Sequence, residues 1–305
     1  MRLRRPRGLF VGLCTLDVIQ LVDHVPGDDE KLTAAEQVIA AGGPAANAAA
    51  VFSHLGGAAT LLTAVGSHPL GAAALSDLAG LGVAVSDLTE GSPEPPAVST
   101  VLVTASSGAR AVASTNAGRH RLAPPAGLDA LVAACDIVEL DGHHMDLAVA
   151  TARAARAAGR PTLLDGGSWK HGVPELLPWV DVAVCSSDFH PPGARTPADT
   201  LLLLREHGVA WSAVTRGAGP VIWAGPDCGG TVDVPQVTVV DTLGAGDALH
   251  GALAHGLALR GAPSPGGFPD ALREAAVVAS RACASFGTRA WMRAGAAALP
   301  DRSLR

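Results

Sequence analysis

Short runs of β-branched and leucine residues alternate with alanine-rich runs along most of the chain, and glycines punctuate them. In the second half, residues 137–140, 162–164, 182–184 and 211–215 read as short strands buried on both faces. Residues 147–158 and 198–207 read as helices, stopped by Gly159 and Gly208. Strand and helix alternating at this spacing imply βαβ units and a parallel sheet. Ligands of such sheets sit outside the carboxyl ends of the strands. Asp17, Asp141, Asp165, Ser186, Thr215 and Asp241 stand at or near such ends, which points to one shared site.

The first half follows the same grammar. Residues 8–19 read as one strand with Asp17 inside an apolar segment, where a carboxylate must either satisfy backbone donors or face a polar ligand. Residues 32–39 read as another strand. Gly42-Gly43 makes a turn, and Pro44 suits the first position of a helix that Gly56-Gly57 ends. Asn47 projects from its first turn, where an amide donates to and accepts from a hydroxyl-rich ligand. A strand over 61–65, a helix over 72–81 and, after the break at Pro93, Pro95 and Pro96, a hairpin of 98–104 with 110–114 complete this half. Arg110 follows the hairpin turn, either solvated or reaching back to an oxyanion.

The stretch from Val237 to Leu249 carries the chemistry. Val237-Thr238-Val239-Val240 reads as a strand. The turn Asp241-Thr242-Leu243-Gly244-Ala245-Gly246 follows, and a helix begins at Asp247 with Leu249, Leu253 and Leu257 spaced four apart. Free amides and the positive dipole end make that turn an anion site. A carboxylate there competes with the anion unless it has its own task. Asp247 either caps its own helix or takes a proton from a hydroxyl attacking the anion, which would be phosphoryl transfer. Thr215-Arg216-Gly217-Ala218-Gly219 is a second glycine turn after a strand.

Composition narrows the field. The 305 residues suffice for one large α/β domain or two small ones, and 48% hydrophobic content with 3% aromatic and no Tyr implies a core of small side chains. A net charge of −6 argues against a broad nucleic-acid surface, and Arg2, Arg4, Arg5 and Arg7 read as a solvated tail. Five scattered cysteines without C-x-x-C spacing fit free thiols in a reducing cytoplasm. No apolar run reaches the length of a membrane span, and the N-terminal apolar run reads as a strand instead of a signal peptide. No P-loop motif, dinucleotide-binding glycine fingerprint or nucleophile elbow is present. His143-His144 with Asp146 makes a poor zinc site, because an adjacent pair converges badly on one ion.

The run Asp241-Thr242-Leu243-Gly244-Ala245-Gly246-Asp247 resembles the second signature of the ribokinase-like sugar kinases, the pfkB family. Gly42-Gly43 with Asn47 resembles the first signature, and the likeness extends from Gly12 to Gly287. It implies a three-layer α/β/α sandwich with a mostly parallel sheet, a single domain over 1–305, and a small β lid from about 15–40 and 96–116. It also implies ATP-dependent phosphorylation of a small sugar, a ketose by its similarity to the ketohexokinase-like and sulfofructose kinase-like branches. Asp247 would be the base and the Gly244, Ala245 and Gly246 amides the anion hole. Asp17, Gly42, Gly43, Asn47 and Arg110 would hold the sugar. Thr215, Gly217, Gly219, Gly244, Gly246 and Cys283 would line the nucleotide, with Asp241 at a monovalent cation such as K⁺. The chain departs from the family pattern at Pro44, at His68, at His143 and at Ser186-Ser187-Asp188, which leaves Mg²⁺ to be held mainly by phosphates and water. The implied partners are sugar, ATP and a second copy joined through the lid, with neither nucleic acid nor membrane. A nucleoside or other small-metabolite kinase and a non-catalytic sugar- or nucleotide-binding regulator remain alternatives.

Overall fold

The structure is a computed structural model that describes residues 5–117 and 121–293. Arg2 and Arg4 of the N-terminal arginine cluster lie outside the described residues. In chain order the elements are β1 (Arg7–Val11), β2 (Thr15–Val22), β3 (Glu36–Gly42), α1 (Pro44–His54), β4 (Ala58–Thr63), α2 (Pro69–Gly80) and β5 (Val83–Asp87). Then come β6 (Ala97–Thr104), β7 (Arg110–Ser114), α3 (Leu128–Ala133), β8 (Ile137–Leu140), α4 (Met145–Ala157), β9 (Thr162–Gly166) and α5 (Val173–Leu176). The last are β10 (Val182–Cys185), α6 (Pro197–Glu206), β11 (Trp211–Arg216), β12 (Gly219–Gly225), β13 (Cys228–Val232), α7 (Ala245–Arg260), α8 (Gly267–Ala282) and α9 (Ala290–Arg293).

Nine strands form the main sheet in the order β13-β12-β11-β10-β9-β8-β1-β4-β5. From β5 to β11 every neighbouring pair is parallel, and β12 and β13 add an antiparallel edge. Successive side chains alternate between two covered faces, as the pleat of a parallel sheet requires. Phe10, Leu61, Ile137, Leu163 and Val184 pack with α1, α2, α7 and α8. Leu9, Val11, Leu62, Val138, Leu140 and Leu164 pack with α3, α4, α5 and α6 on the other face. The expected three layers are therefore present. A second sheet of four strands, β3-β2-β6-β7, lies apart. Its inner face buries Ile19, Val101 and Val103 against Phe286, Val240 and Leu243.

Two expected elements differ. Residues 8–19 do not make one strand: β1 belongs to the main sheet and β2 to the small one. The chain leaves β1 at Gly12, where an added Cβ would stand 2.0 Å from Oδ1 of Asp141. Asp141 is 1% exposed and accepts the amides of Leu13 (2.8 Å), Ala45 (3.2 Å) and His143 (2.8 Å). One carboxylate just past β8 thus ties the β1–β2 crossing, the start of α1 and the loop into α4. Hydrophobic alternation cannot report such a polar interruption. The second difference is at residues 237–240, which form no strand. Val237 and Val239 are 39% and 42% exposed, so the β-branched run meets no neighbouring strand to pair with. Instead the amides of Val240 and Asp241 donate to the Cys283 carbonyl at 2.8 and 3.3 Å. A strand end therefore does not place Asp241; the end of α8 does.

The alanines of α1 allow it to press against α7. A Cβ on Gly251 would lie 2.4 Å from the Ala48 carbonyl oxygen, so the two backbones touch there. Only glycine permits that approach. In β8 of the main sheet lies Glu139, 0% exposed, with neither carboxyl oxygen bonded among the described residues. Burial pushes its carboxyl well above the usual range, helped by the charges of Asp141, Asp165 and Asp247.

Asp141→Ala strands three buried amides, so we expect a loss of about 3 kcal/mol or more in urea unfolding. A loss under about 1 kcal/mol would mean that other acceptors serve those amides. For Glu139 the sign follows from the raised pKa. The folded chain keeps a proton that the unfolded chain releases, so stability is fullest below the ordinary glutamate value of 4.5 and falls as pH rises above it. Glu139→Gln should melt like the wild type at that pH and a few degrees higher at about pH 8. Parallel melting curves across that range would refute this role for Glu139.

Candidate active site

The close crossing of α1 and α7 brings Asn47 to Asp247. The Asn47 Nδ2 donates to Asp247 Oδ2 at 2.6 Å, and the Asn47 Oδ1, buried, has no partner among the described residues. Asp247 is the third residue of α7, whose cap Gly244 adopts a left-handed φ of 73°. Ala245 donates weakly to the Thr242 carbonyl at 3.4 Å. The amides of Gly244, Gly246 and Asp247 meet no protein acceptor among the described residues. Apart from its chain neighbours and its own helix backbone, no described atom lies within 4 Å of where a Cβ on Gly246 would stand. Unused donors, a helix dipole and open space together make an anion pocket. The capping alternative for Asp247 is thereby weakened, since its recorded partner is Asn47. Burial raises the Asp247 carboxyl above its ordinary range, opposed by the Asn47 hydrogen bond and by the positive charges of His250 and Arg110.

The glycines of the first motif have separate tasks. Gly42 ends β3 instead of making the turn, and a Cβ there would lie 1.8 Å from Asp17 Oδ2. Gly43 takes the turn with φ 91°, close against the Leu13 carbonyl. Asp17 sits in β2 of the small sheet, not on a strand of the main one, and it feels the charge of Asp247. It is 5% exposed, and its Oδ1 accepts the Thr15 hydroxyl at 2.6 Å. Burial raises its carboxyl, and the hydrogen bonds of Thr15 and Ser99 oppose that. Arg289, 4% exposed, fixes the approach to these glycines: its Nη2 donates to the Ala41 carbonyl at 2.8 Å, while Asp77 accepts the Ala41 amide at 3.0 Å.

The small sheet reaches the anion turn directly. Arg110 Nη1 donates to the Thr242 hydroxyl at 3.0 Å, and Thr242 donates to the Gly108 carbonyl through its amide (3.3 Å) and hydroxyl (3.1 Å). Gly108, at φ 66°, would place a Cβ 3.0 Å from the Val240 carbonyl oxygen. Asp241 is 1% exposed, and its oxygens accept the Leu243 and Gly287 amides at 2.8 and 2.9 Å. Burial raises its carboxyl and these amides oppose the rise. It therefore shapes the turn whether or not a cation joins it.

The other expected residues are grouped more loosely. Thr215 closes β11 with its hydroxyl 3.4 Å from the Cys185 carbonyl, and Gly217 and Gly219 form the β11–β12 hairpin. Gln236 donates to the Ala218 carbonyl at 3.1 Å, joining this hairpin to the segment that leads to Asp241. Cys283 caps α8 and presents its carbonyl to Val240. Ser186 donates to the Gly167 carbonyl at 2.9 Å and accepts the Asp188 amide at 3.0 Å, a local turn. His68 caps α2 by accepting the Leu70 amide. All five cysteines are free. Among the described residues, no group of three acidic, histidine or cysteine side chains converges on a metal ion, and no helix is long and apolar enough to cross a membrane.

Sequence patterns did not mark Lys170, His250 or Arg289 as parts of this region. Lys170, one of two lysines in the chain, donates to the Asp141 carbonyl at 3.3 Å. Its scarcity was the one available signal. His250 and Asp165 lie under the anion turn, with Nδ1 and Oδ2 3.3 Å apart.

Comparison with known proteins agrees with this geometry. The curated relatives include 1-phosphofructokinase of Escherichia coli (strain K12), 39% identical over 57 residues; that match covers 19% of this chain and 18% of the relative, so the chain spans under a fifth of its length. A putative ribokinase from Agrobacterium tumefaciens superposes with a TM-score of 0.82 at 27% identity, covering 95% of this chain and 98% of that one. The fructokinase with bound ATP from Xylella fastidiosa has the same fold, with a TM-score of 0.76 at 22% identity and 94% coverage of each chain. The family model described as pfkB family carbohydrate kinase matches residues 7–294, and the chain belongs to that family.

Proposed function

We propose that the protein is an ATP-dependent kinase that phosphorylates a hydroxyl of a small sugar, in first place a ketose. The observation that carries this reading is the Asp247 carboxylate, held at 2.6 Å by Asn47 beside amides that no acceptor among the described residues uses. The Gly246 and Asp247 amides would receive the charge of the transferring group. The raised carboxyl makes Asp247 a better base than an ordinary aspartate of pKa about 3.9. It takes the hydroxyl proton as the bond to phosphorus forms. Asn47 has one free acceptor, Oδ1, and with Asp17 it would orient the acceptor hydroxyls. Arg110 adds positive charge from the small sheet, which would act as the lid. ATP would supply the phosphoryl group, with its metal held by phosphates and water, since the described residues offer no acidic cluster for it. A regulator without catalysis would have no use for a carboxylate inside an anion pocket.

One observation favours a larger acceptor. A cavity of about 130 Å³ opens between Leu13, Cys14, Val98, Asn116 and His144, and its walls are mostly apolar. A nucleoside or a sugar with an apolar substituent would fill it better than a bare polyol. A panel of ketoses, aldoses and nucleosides, read by phosphate transfer from labelled ATP, separates the two.

Asp247→Asn should lower turnover by about a hundredfold or more while ATP still raises the melting temperature. Near-normal turnover would remove Asp247 as the base. Gly42→Ala displaces the Asp17 carboxylate, so the acceptor KM should rise about tenfold with kcat less affected. An unchanged KM would take Asp17 out of acceptor recognition.

A further inference from the structure

His250 is 3% exposed, one turn into α7, and its ring faces three oxygen atoms. Nδ1 lies 2.8 Å from the Gly246 carbonyl and 3.3 Å from Asp165 Oδ2; Nε2 lies 3.0 Å from the Val184 carbonyl. Carbonyl oxygens only accept hydrogen bonds, so both ring nitrogens are placed where an N–H would be satisfied. A neutral ring has one N–H and would turn a lone pair toward a carbonyl oxygen in the interior. The ionised Asp165 supplies the counter-charge that a buried cation requires.

The Gly246 carbonyl shares a planar trans peptide with the Asp247 amide. In that unit C=O and N–H point in opposite directions. Drawing the carbonyl down to His250 aims the amide up into the anion pocket. We infer that His250 stands as an imidazolium paired with Asp165 and positions the Gly246–Asp247 peptide, so that the pocket keeps its donor and Asp247 its ionised form. It is a positioning residue: it meets the reacting atoms only through that peptide.

The charged groups around the ring come from each packed strand. Asp165 belongs to β9, and burial pushes its carboxyl up to about 6, against the pull of His250. Asp247 and Asp141, the latter just past β8, push the Asp165 carboxyl up as well, and Lys170 from the loop after β9 draws it down; Glu139 of β8 feels the Asp165 charge in turn. From β10 comes Cys185, whose thiol burial keeps neutral. Asp247 on the same helix feels the ring as a positive charge. Alkaline loss of the ring proton removes both the carbonyl contact and that charge.

The catalytic consequence rests on the kinase reading, but the charge state does not. With [15N]histidine-labelled full-length protein, the ring signals lost in His250→Gln should show both nitrogens protonated at neutral pH in the wild type. A neutral ring there overturns the proposal. In turnover, His250→Gln, which donates without charge, should cost about tenfold in kcat with the acceptor KM within about twofold, and should abolish the wild-type alkaline fall in kcat. Asp165→Asn should move that fall, and the 15N titration with it, at least about one pH unit toward acid, because the cation loses its counter-ion. Wild-type kcat and an unchanged alkaline fall in His250→Gln would overturn the positioning role. A wild type that phosphorylates nothing in the panel would end the kinase reading, while the nitrogen signals would still decide the charge of the ring.

Discussion

The contact on which the candidate site depends is a backbone contact. Helices α1 and α7 meet where Gly251 lies against the Ala48 carbonyl. At that point the Ala48 backbone and the Val51 side chain of α1 both close on Gly251, so the crossing is fixed by the absence of a side chain on α7. From it follow the 2.6 Å bond from Asn47 to Asp247 and the placement of the α7 N-terminus over the carboxyl ends of the strands. Alanine-rich helices, which look unspecific in composition, are what allow two motifs 200 residues apart to share one hydrogen bond.

Around this crossing the site is held by buried carboxylates with different duties. Asp141 serves three amides and is structural. Asp241 serves two amides and shapes the anion turn. Asp17 and Asp247 have side-chain partners instead of a set of backbone amides. The number of backbone donors that each carboxylate receives separates the scaffold from the groups available for chemistry.

Much of the fold was legible because both faces of the main sheet are apolar and glycine closes most helices. The strands from β8 to β11 and the hairpin of β6 with β7 follow that pattern within a residue or two. Legibility failed where polar or tertiary contacts decide. Asp141 splits residues 8–19 into strands of two sheets, and nothing in the hydrophobic pattern announces it. The valines at 237–240 have strand propensity but no partner, and the end of α8 claims their backbone. Asp247, Asn47 and the glycines around them stood out because their spacing is chemically unusual. His250 and Lys170 did not, since an isolated histidine in a helix or a lysine in a loop carries no local signal, and only the fold shows what each one touches.

The hairpin turn at Gly108 has an effect on timing. Its carbonyl grips Thr242, which lies two residues before Gly244 in the turn proposed to hold phosphate. The small sheet therefore cannot swing outward without releasing the far end of the anion turn. If the small sheet acts as the proposed lid, admission of the acceptor and assembly of the phosphate cradle would be mechanically geared to each other. Under the proposed kinase reading, a gate built in this way would discourage wasteful hydrolysis, because the cradle would be complete only while the doorway is shut.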